Sequence, residues 1–312
     1  NSAYNNLPIF AHTMKKVLIT GSNGLLGQKL IELYLKAEDI SLIATARGAN
    51  RYPLKDGYIY AEMDVTDAKN VMDVVTLHQP DTIIHTAAMT NVDTCEADKA
   101  GAERLNVDAV EYMVEAANAV NAHLIHLSTD FIFDGEAGPY TEEAAADPVS
   151  YYGETKLAAE NMVKNQCNKW SIARTILVYG LVHDMSRSNI VLWAKGALEK
   201  GQPINVVNDQ VRSPTLAEDL AIGCQLIEQQ EAEGVFNISG KDQMSIVEIV
   251  ERVADYFKLD KSIITQVSSE TLNQAAKRPP ITGFDLTKSR EVLGYNPRSF
   301  EEGIAVLMEQ MK

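Results

Sequence analysis

Tyr152 and Lys156 stand four residues apart, one helical turn, so their side chains lie on one face of a helix. A free phenol has a pKa of about 10 and is a poor acid–base group at neutral pH. A neighbouring ammonium and an oxidised nicotinamide would both favour the phenolate and lower that value. The pair is then able to protonate a carbonyl oxygen as hydride reaches its carbon. Lys156 would also hold cofactor ribose hydroxyls. The hydroxyl of Thr129, with that of Ser128 as the alternative, would hydrogen-bond the same oxygen. A Tyr/Lys pair alone is weak, because a surface helix can carry one by chance. Its context is the run Thr20-Gly21-Ser22-Asn23-Gly24-Leu25-Leu26-Gly27.

Gly21, Gly24 and Gly27 are spaced three apart, directly after an apolar strand and inside the first turn of a helix. Gly21 suits a tight turn with positive φ. Gly24 offers no Cβ to block a pyrophosphate, and Gly27 permits close helix packing. Asn23 and Leu25 complete the cradle, where free helix N–H groups meet the phosphates. The end of the second strand reads Thr45-Ala46-Arg47-Gly48, with a guanidinium where an NAD site would carry a carboxylate. Arg47 could pair with a 2′-phosphate, which favours NADP(H) over NAD(H). Asp64 and Val65 follow the third strand and would edge the adenine, or Asp64 would cap the next helix. His85-Thr86-Ala87-Ala88 ends the fourth with small residues, leaving room at Ala87 and Ala88 for ribose and nicotinamide.

These residues need a scaffold, and the first half of the chain supplies one by alternation. Strand-like runs are Lys16–Thr20, Ile40–Thr45, Tyr58–Glu62, Asp81–His85, His123–Ser128 and Ile172–Val178. Helical spacing follows Leu25, Asp67 and Tyr151, and one long helix is expected over Ala97–Val120. The fold class is α/β, a doubly wound parallel sheet of Rossmann type with a smaller, mostly helical C-terminal region. Residues 14–180 are expected to form the dinucleotide-binding domain and 181–312 mainly the substrate region. Segments near 215–240 are expected to return to the sheet. Residues 1–13 read as a disordered or tag-like extension without the features of a secretory signal.

A net charge of −15 argues against a nucleic-acid or anionic-membrane surface. No apolar run reaches the ~20 residues of a membrane span. Cys95, Cys167 and Cys224 are odd in number and widely spaced, which fits reduced thiols in a cytoplasm. The histidines show no metal-ligand spacing, so no metal site is assigned. His123 and His126 read as core or edge residues of their strand.

With these residues in hand the chain resembles the extended short-chain dehydrogenase/reductases, and more narrowly the dTDP-4-dehydrorhamnose reductase family. The resemblance runs from Met14 to the C-terminus. It rests on Leu18 to Gly27, on Ser128-Thr129-Asp130-Phe131-Ile132-Phe133-Asp134-Gly135, and on Tyr152 to Glu160. Asp209-Gln210 with Ser213-Pro214-Thr215, and Arg278-Pro279, add to it. The resemblance implies that Thr129, Tyr152 and Lys156 carry catalysis. It implies that Asp130, Phe131, Asn189 and Arg278 contact substrate. The implied reaction reduces dTDP-4-dehydro-β-L-rhamnose to dTDP-β-L-rhamnose with NAD(P)H, a step of dTDP-rhamnose biosynthesis. Some members use magnesium, for which no ligands are assignable here. The implied partner is a nucleotide-sugar, and a homodimer is compatible. Two departures border the substrate side: Arg212, where many members have a small residue, and a loop from Gly135 to Tyr151 rich in Glu and Ala. Two alternatives stay open, a sugar-nucleotide epimerase or dehydratase, and a regulatory homologue of the kind that serves methionine adenosyltransferase.

Overall fold

The apolar run after Met14 forms strand β1, Lys15–Thr20. Val17 and Ile19 enter one core and Leu18 the opposite one, all fully buried. A parallel strand covered on both faces demands such a run. The computed structural model describes residues 14–184, 188–272 and 274–312; the expected extension 1–13 lies outside them. Further strands are β2 (Ile40–Ala46), β3 (Ile59–Glu62), β4 (Thr82–His85), β5 (His123–Thr129), β6 (Trp170–Thr175) and a late strand, Gly234–Asn237. Across the sheet the order is Gly234–Asn237, β6, β5, β4, β1, β2, β3, with every pairing parallel. This is the doubly wound α/β sheet expected from the alternation. The winding reverses between β1 and β4, and their carboxyl ends open the crevice where such folds bind ligands.

Helix α1 (Leu25–Tyr34) covers one face through Leu30, Ile31 and Tyr34, beside the later helix Ala217–Gln230. Helix α2 (Ala68–His78) covers the other, capped by Asp67, whose carboxylate accepts the Asn70 N–H. The single helix expected over Ala97–Val120 is in fact several pieces. They are α3 (Val92–Ala97), α4 (Lys99–Glu103), a π-turn at Arg104–Asp108, and α5 (Ala109–Val120). Asp98 ends α3 and caps α4 by accepting the Gly101 N–H at 2.9 Å. The π-turn carries Asn106 inward, where it bonds both backbone groups of Met89 and the Thr155 hydroxyl. Such turns recur at functional sites. Helix α6 (Tyr151–Gln166) has the expected limits, because Ser150 accepts the Gly153 N–H and fixes its first turn.

The sixth strand ends at Thr175, earlier than Val178. Leu177 takes φ +41° and turns the chain, so Val178–Tyr179 pairs with Thr215–Leu216 outside the main sheet. The C-terminal region gathers a third core from helices Ile190–Glu199, Ile246–Phe257 and Phe300–Gln310, with Val250, Val253 and Ile304 fully buried. Short strand pairs brace it, Ile204–Val207, near the strand the sequence suggests at Pro203–Val207, with Ile264–Val267, and Val211–Arg212 with Met244–Ser245. Among the described residues no helix is long and apolar enough to cross a membrane.

Candidate active site

A cleft of about 930 Å³ runs along the carboxyl edge of the sheet and into the C-terminal region. At one end is the glycine turn. Gly21 has φ +65°, and a Cβ there would lie 2.7 Å from Thr86 Oγ1, so both conformation and space select glycine. Gly24 heads α1 with no side-chain cap. The first N–H groups of that helix are therefore left for an anion at the cleft. A Cβ on Gly27 would sit 2.4 Å from Gly21 O. Gly27 does not itself line the cleft; it lets α1 close onto the turn from behind. Asn23 lines it and is anchored to the loop after β2, accepting the Arg51 N–H and donating to Ala49 O. Leu25, Ala87 and Ala88 also line it. These features fit the diphosphate of a dinucleotide.

Arg47 is exposed at the end of β2 and lines the same cleft beside Asp64 and Val65. Asp64 does not cap α2. It accepts from the Thr66 N–H and hydroxyl, bonds that hold its carboxyl below the usual range, with a smaller contribution from the Arg47 charge. Arg51 lines the cleft as well and reaches Asp184, 3.7 Å away. Sequence reasoning passed over Arg51, although it follows Arg47 by four residues in one loop.

At the centre, Thr129 ends β5 and Tyr152 and Lys156 face it from α6; all three line the cleft and all are buried. Gly153 makes this approach possible, since a Cβ there would lie 2.1 Å from Phe131 O. Gly153→Ala is therefore expected to displace the start of α6. A displacement near 1 Å costs on the order of 10²-fold in turnover. The check is steady-state kinetics beside NADPH titration, with kcat falling far more than cofactor affinity.

The Tyr152 phenol departs from the expected direction. Burial raises its pKa well above 10; the Thr129 hydroxyl beside it pulls the other way, and the Asp130 and Cys95 charges raise it again. Lys156 does not offset this, because its ammonium is turned to the β5 backbone, donating to Leu127 O at 2.6 Å. Burial lowers Lys156 to about 8, against the opposing pull of Glu160. In this state Tyr152 is a protonated acid, the form a ketone reduction needs. Thr129 Oγ1 donates to Asp130 Oδ1 at 3.1 Å and accepts the Phe131 N–H. Ser128 lines the cleft, but strand alternation sets its Oγ opposite Thr129, where it helps to lower the Glu160 carboxyl.

The far end is built from both regions. Asp130 is buried, which raises its pKa despite the Arg212 charge and the Thr282 hydroxyl bonded to it. Arg212, the departure seen in the sequence, spends its guanidinium on carbonyls. It donates to Val211 O, Pro280 O and Pro279 O, with Nε 3.8 Å from Asp130. It thereby fixes the segment that carries Arg278. Arg278 lines the cleft and pairs with Asp93 at 2.7 Å, a bridge from the C-terminal region to α3. Asn189 also lines it. Its amide oxygen caps helix Ile190–Glu199 and its amide nitrogen donates to Gly180 O, so its polar atoms are engaged. Phe131 packs edge-on to Tyr152, ring centroids 5.6 Å apart. Among the described residues no group of three His, Cys, Asp or Glu side chains is placed to hold a metal ion.

A parallel doubly wound sheet, a glycine cradle on its first turn and a Thr/Tyr/Lys set at its carboxyl edge define an extended short-chain dehydrogenase/reductase. The chain belongs to the RmlD substrate binding domain family, whose model matches residues 14–312. It is 31% identical over 296 residues to the methionine adenosyltransferase 2 subunit beta of Rattus norvegicus, covering 93% of this chain and 86% of that one. It is similar to the crystal structure of a dTDP-4-dehydrorhamnose reductase from Clostridium acetobutylicum, with TM-score 0.84 and 29% identity over 95% of this chain and 99% of that one. The Bacillus anthracis dTDP-4-dehydrorhamnose reductase, solved in complex with NADP, gives 0.81 and 28% over the same shares.

Proposed function

We propose that this protein reduces the 4-keto group of a nucleotide-linked deoxysugar, dTDP-4-dehydro-β-L-rhamnose, to dTDP-β-L-rhamnose. The observation that carries the reading is the intact set of Thr129, Tyr152 and Lys156 in the same cleft as the Gly21 turn. NADPH, when bound, supplies the hydride. The first turn of α1 receives its phosphates and Lys156 its ribose. Tyr152 donates its proton to the C4 oxygen, held by the Thr129 hydroxyl. Phe131, Asn189 and Arg278 shape the sugar end, and Asp130 sets the orientation of Thr129. The buried, unpaired Cys95, Cys167 and Cys224 suit a reducing cytoplasm.

The experiment follows NADPH and NADH absorbance with enzymatically made dTDP-4-keto sugars, the rhamnose precursor included. Oxidation of NADPH with that precursor supports the reading, and no turnover of any keto sugar sinks it. The likeness to methionine adenosyltransferase 2 subunit beta favours a second reading, a regulatory partner. Co-purification with a methionine adenosyltransferase, without keto-sugar turnover, would support that instead. For the cofactor, Arg47→Ala is expected to weaken NADPH about tenfold and NADH less than about twofold, from loss of a charge-assisted bond to the 2′-phosphate. Fluorescence titration of both nucleotides checks it; equal losses reject the role.

A further inference from the structure

Beneath the catalytic lysine lie two histidines that the reaction above does not use. The Lys156 ammonium donates to Leu127 O and stands 3.4 Å from Nε2 of His126, in a longer, weaker contact. His126 is buried in β5, and its other nitrogen, Nδ1, has no partner. Across the β4–β5 pairing the ring of His85 stacks on it, centroids 5.7 Å apart and planes at 23°. His85 Nδ1 meets the Thr20 hydroxyl at 2.9 Å, and that hydroxyl also accepts the Thr86 and Ala87 N–H groups. His85 Nε2 is again unpartnered.

Packing alone would favour two aliphatic side chains here, since each unpartnered buried nitrogen is costly. Both rings are neutral. Burial first, then the Lys156 charge, drives His85 down to about 3 and His126 well below 6.5. A neutral ring has one lone pair. Toward an ammonium it must be the lone pair of Nε2, which leaves the proton on Nδ1.

We propose that His126 is a positioning residue for Lys156. Its Nε2 accepts one ammonium N–H, Leu127 O accepts a second, and the third is left directed to the cleft. The proposal rests on the reading that Lys156 binds the cofactor ribose. The titratable groups set against the ammonium are Glu160 on its own helix, His126 on β5 and His85 on β4. Asp130 and Cys95 act on Tyr152 beyond it, and Arg174 of β6 neutralises Glu160 behind it. Of these, His126 is the neutral acceptor at the ammonium itself. Loss of that acceptor disfavours the charged lysine, so deprotonation occurs at lower pH.

The test is the pH dependence of NADPH binding to the full chain, read by nucleotide fluorescence, which needs no sugar. In the wild type, affinity falls on the alkaline side as the ammonium is lost. His126→Asn places its amide near the position of Nδ1 and leaves that of Nε2 empty. This variant is expected to move the alkaline limb about half a unit lower, roughly threefold weaker binding above both limbs. His126→Gln, whose amide oxygen reaches the Nε2 position, is expected to restore the wild-type limb. Equal limbs in the two variants overturn the proposal, because a merely structural histidine would lower melting temperature without separating them. A limb that survives in Lys156→Ala overturns it too. Should the asparagine variant not fold, a lowered limb in His126→Gln is itself contrary, and a retained one supports it. Failure to turn over dTDP sugars leaves these titrations readable, so the two readings fail separately.

Discussion

Tyr152→Phe is expected to lower kcat by about 10²-fold or more while NADPH still binds within a few-fold of wild type, because general acid catalysis contributes 10²–10⁴. The substitution removes one oxygen and keeps the ring that packs on Phe131. It also removes a buried hydroxyl with a strongly raised pKa, so folding is not expected to suffer. The loss should appear equally in kcat and kcat/KM, the sign of an interaction made in the transition state. Steady-state kinetics and NADPH fluorescence on the same preparation check it. Unchanged turnover would remove Tyr152 from the mechanism, and lost NADPH binding would mean that the ring holds the cleft open.

The pH dependence of that step follows from two directions in the free protein. Tyr152, raised, stays protonated through the neutral range, so it sets no acid limb. Lys156, lowered to about 8, is charged below that pH and loses its charge above it. Reductive activity is therefore expected to decline on the alkaline side. The sequence could not give this. Spacing alone put Tyr152 and Lys156 on one face and suggested that the ammonium lowers the phenol. Three-dimensional burial reversed the direction, and the ammonium is turned to Leu127 O and His126.

Local patterns were readable where local physics decides them. The run Lys16–Thr20, the Gly21 turn, the Asp67 cap and the limits of α6 all follow from neighbours within a few residues. The break in the expected helix Ala97–Val120 has half a local signal. Asn91 and Asp98 are both capping residues, each accepting an N–H three residues on. The π-turn that turns Asn106 toward Met89 has none, since its partners lie outside the segment. Likewise the pairing of Arg278 with Asp93 joins residues 185 apart. Arg212, read from the sequence as a departure bordering the substrate side, does line the cleft. Its engaged guanidinium shows a brace under Pro279 and Pro280, a role only the returning chain reveals.

The largest stability effect is expected at Arg174→Ala. Glu160, fully buried one turn beyond Lys156, receives two hydrogen bonds from Arg174, Nε to Oε1 at 2.9 Å and Nη2 to Oε2 at 2.8 Å. Arg174 also donates to Glu142 O and stacks over Phe133. Burial alone would push the Glu160 carboxyl up, but the Arg174 bonds and charge, helped by Lys164, hold it below the ordinary carboxylate value. Breaking a buried pair leaves a charge uncompensated and typically costs about 3–5 kcal/mol. Lys164, 2.9 Å from Glu160 and partly exposed, keeps one contact and sets the expectation at the lower end of that range. The wild-type contribution has a defined sign with pH. A carboxyl lowered on folding stabilises above its unfolded value and loses that stabilisation as pH falls through its folded one. Without Arg174 the same carboxyl would favour its neutral form, so the variant's deficit should shrink on acidification. Urea titrations at pH 7 and pH 5 check both statements. A deficit below about 1 kcal/mol at pH 7, or one that grows toward pH 5, would show that Glu160 is satisfied without Arg174.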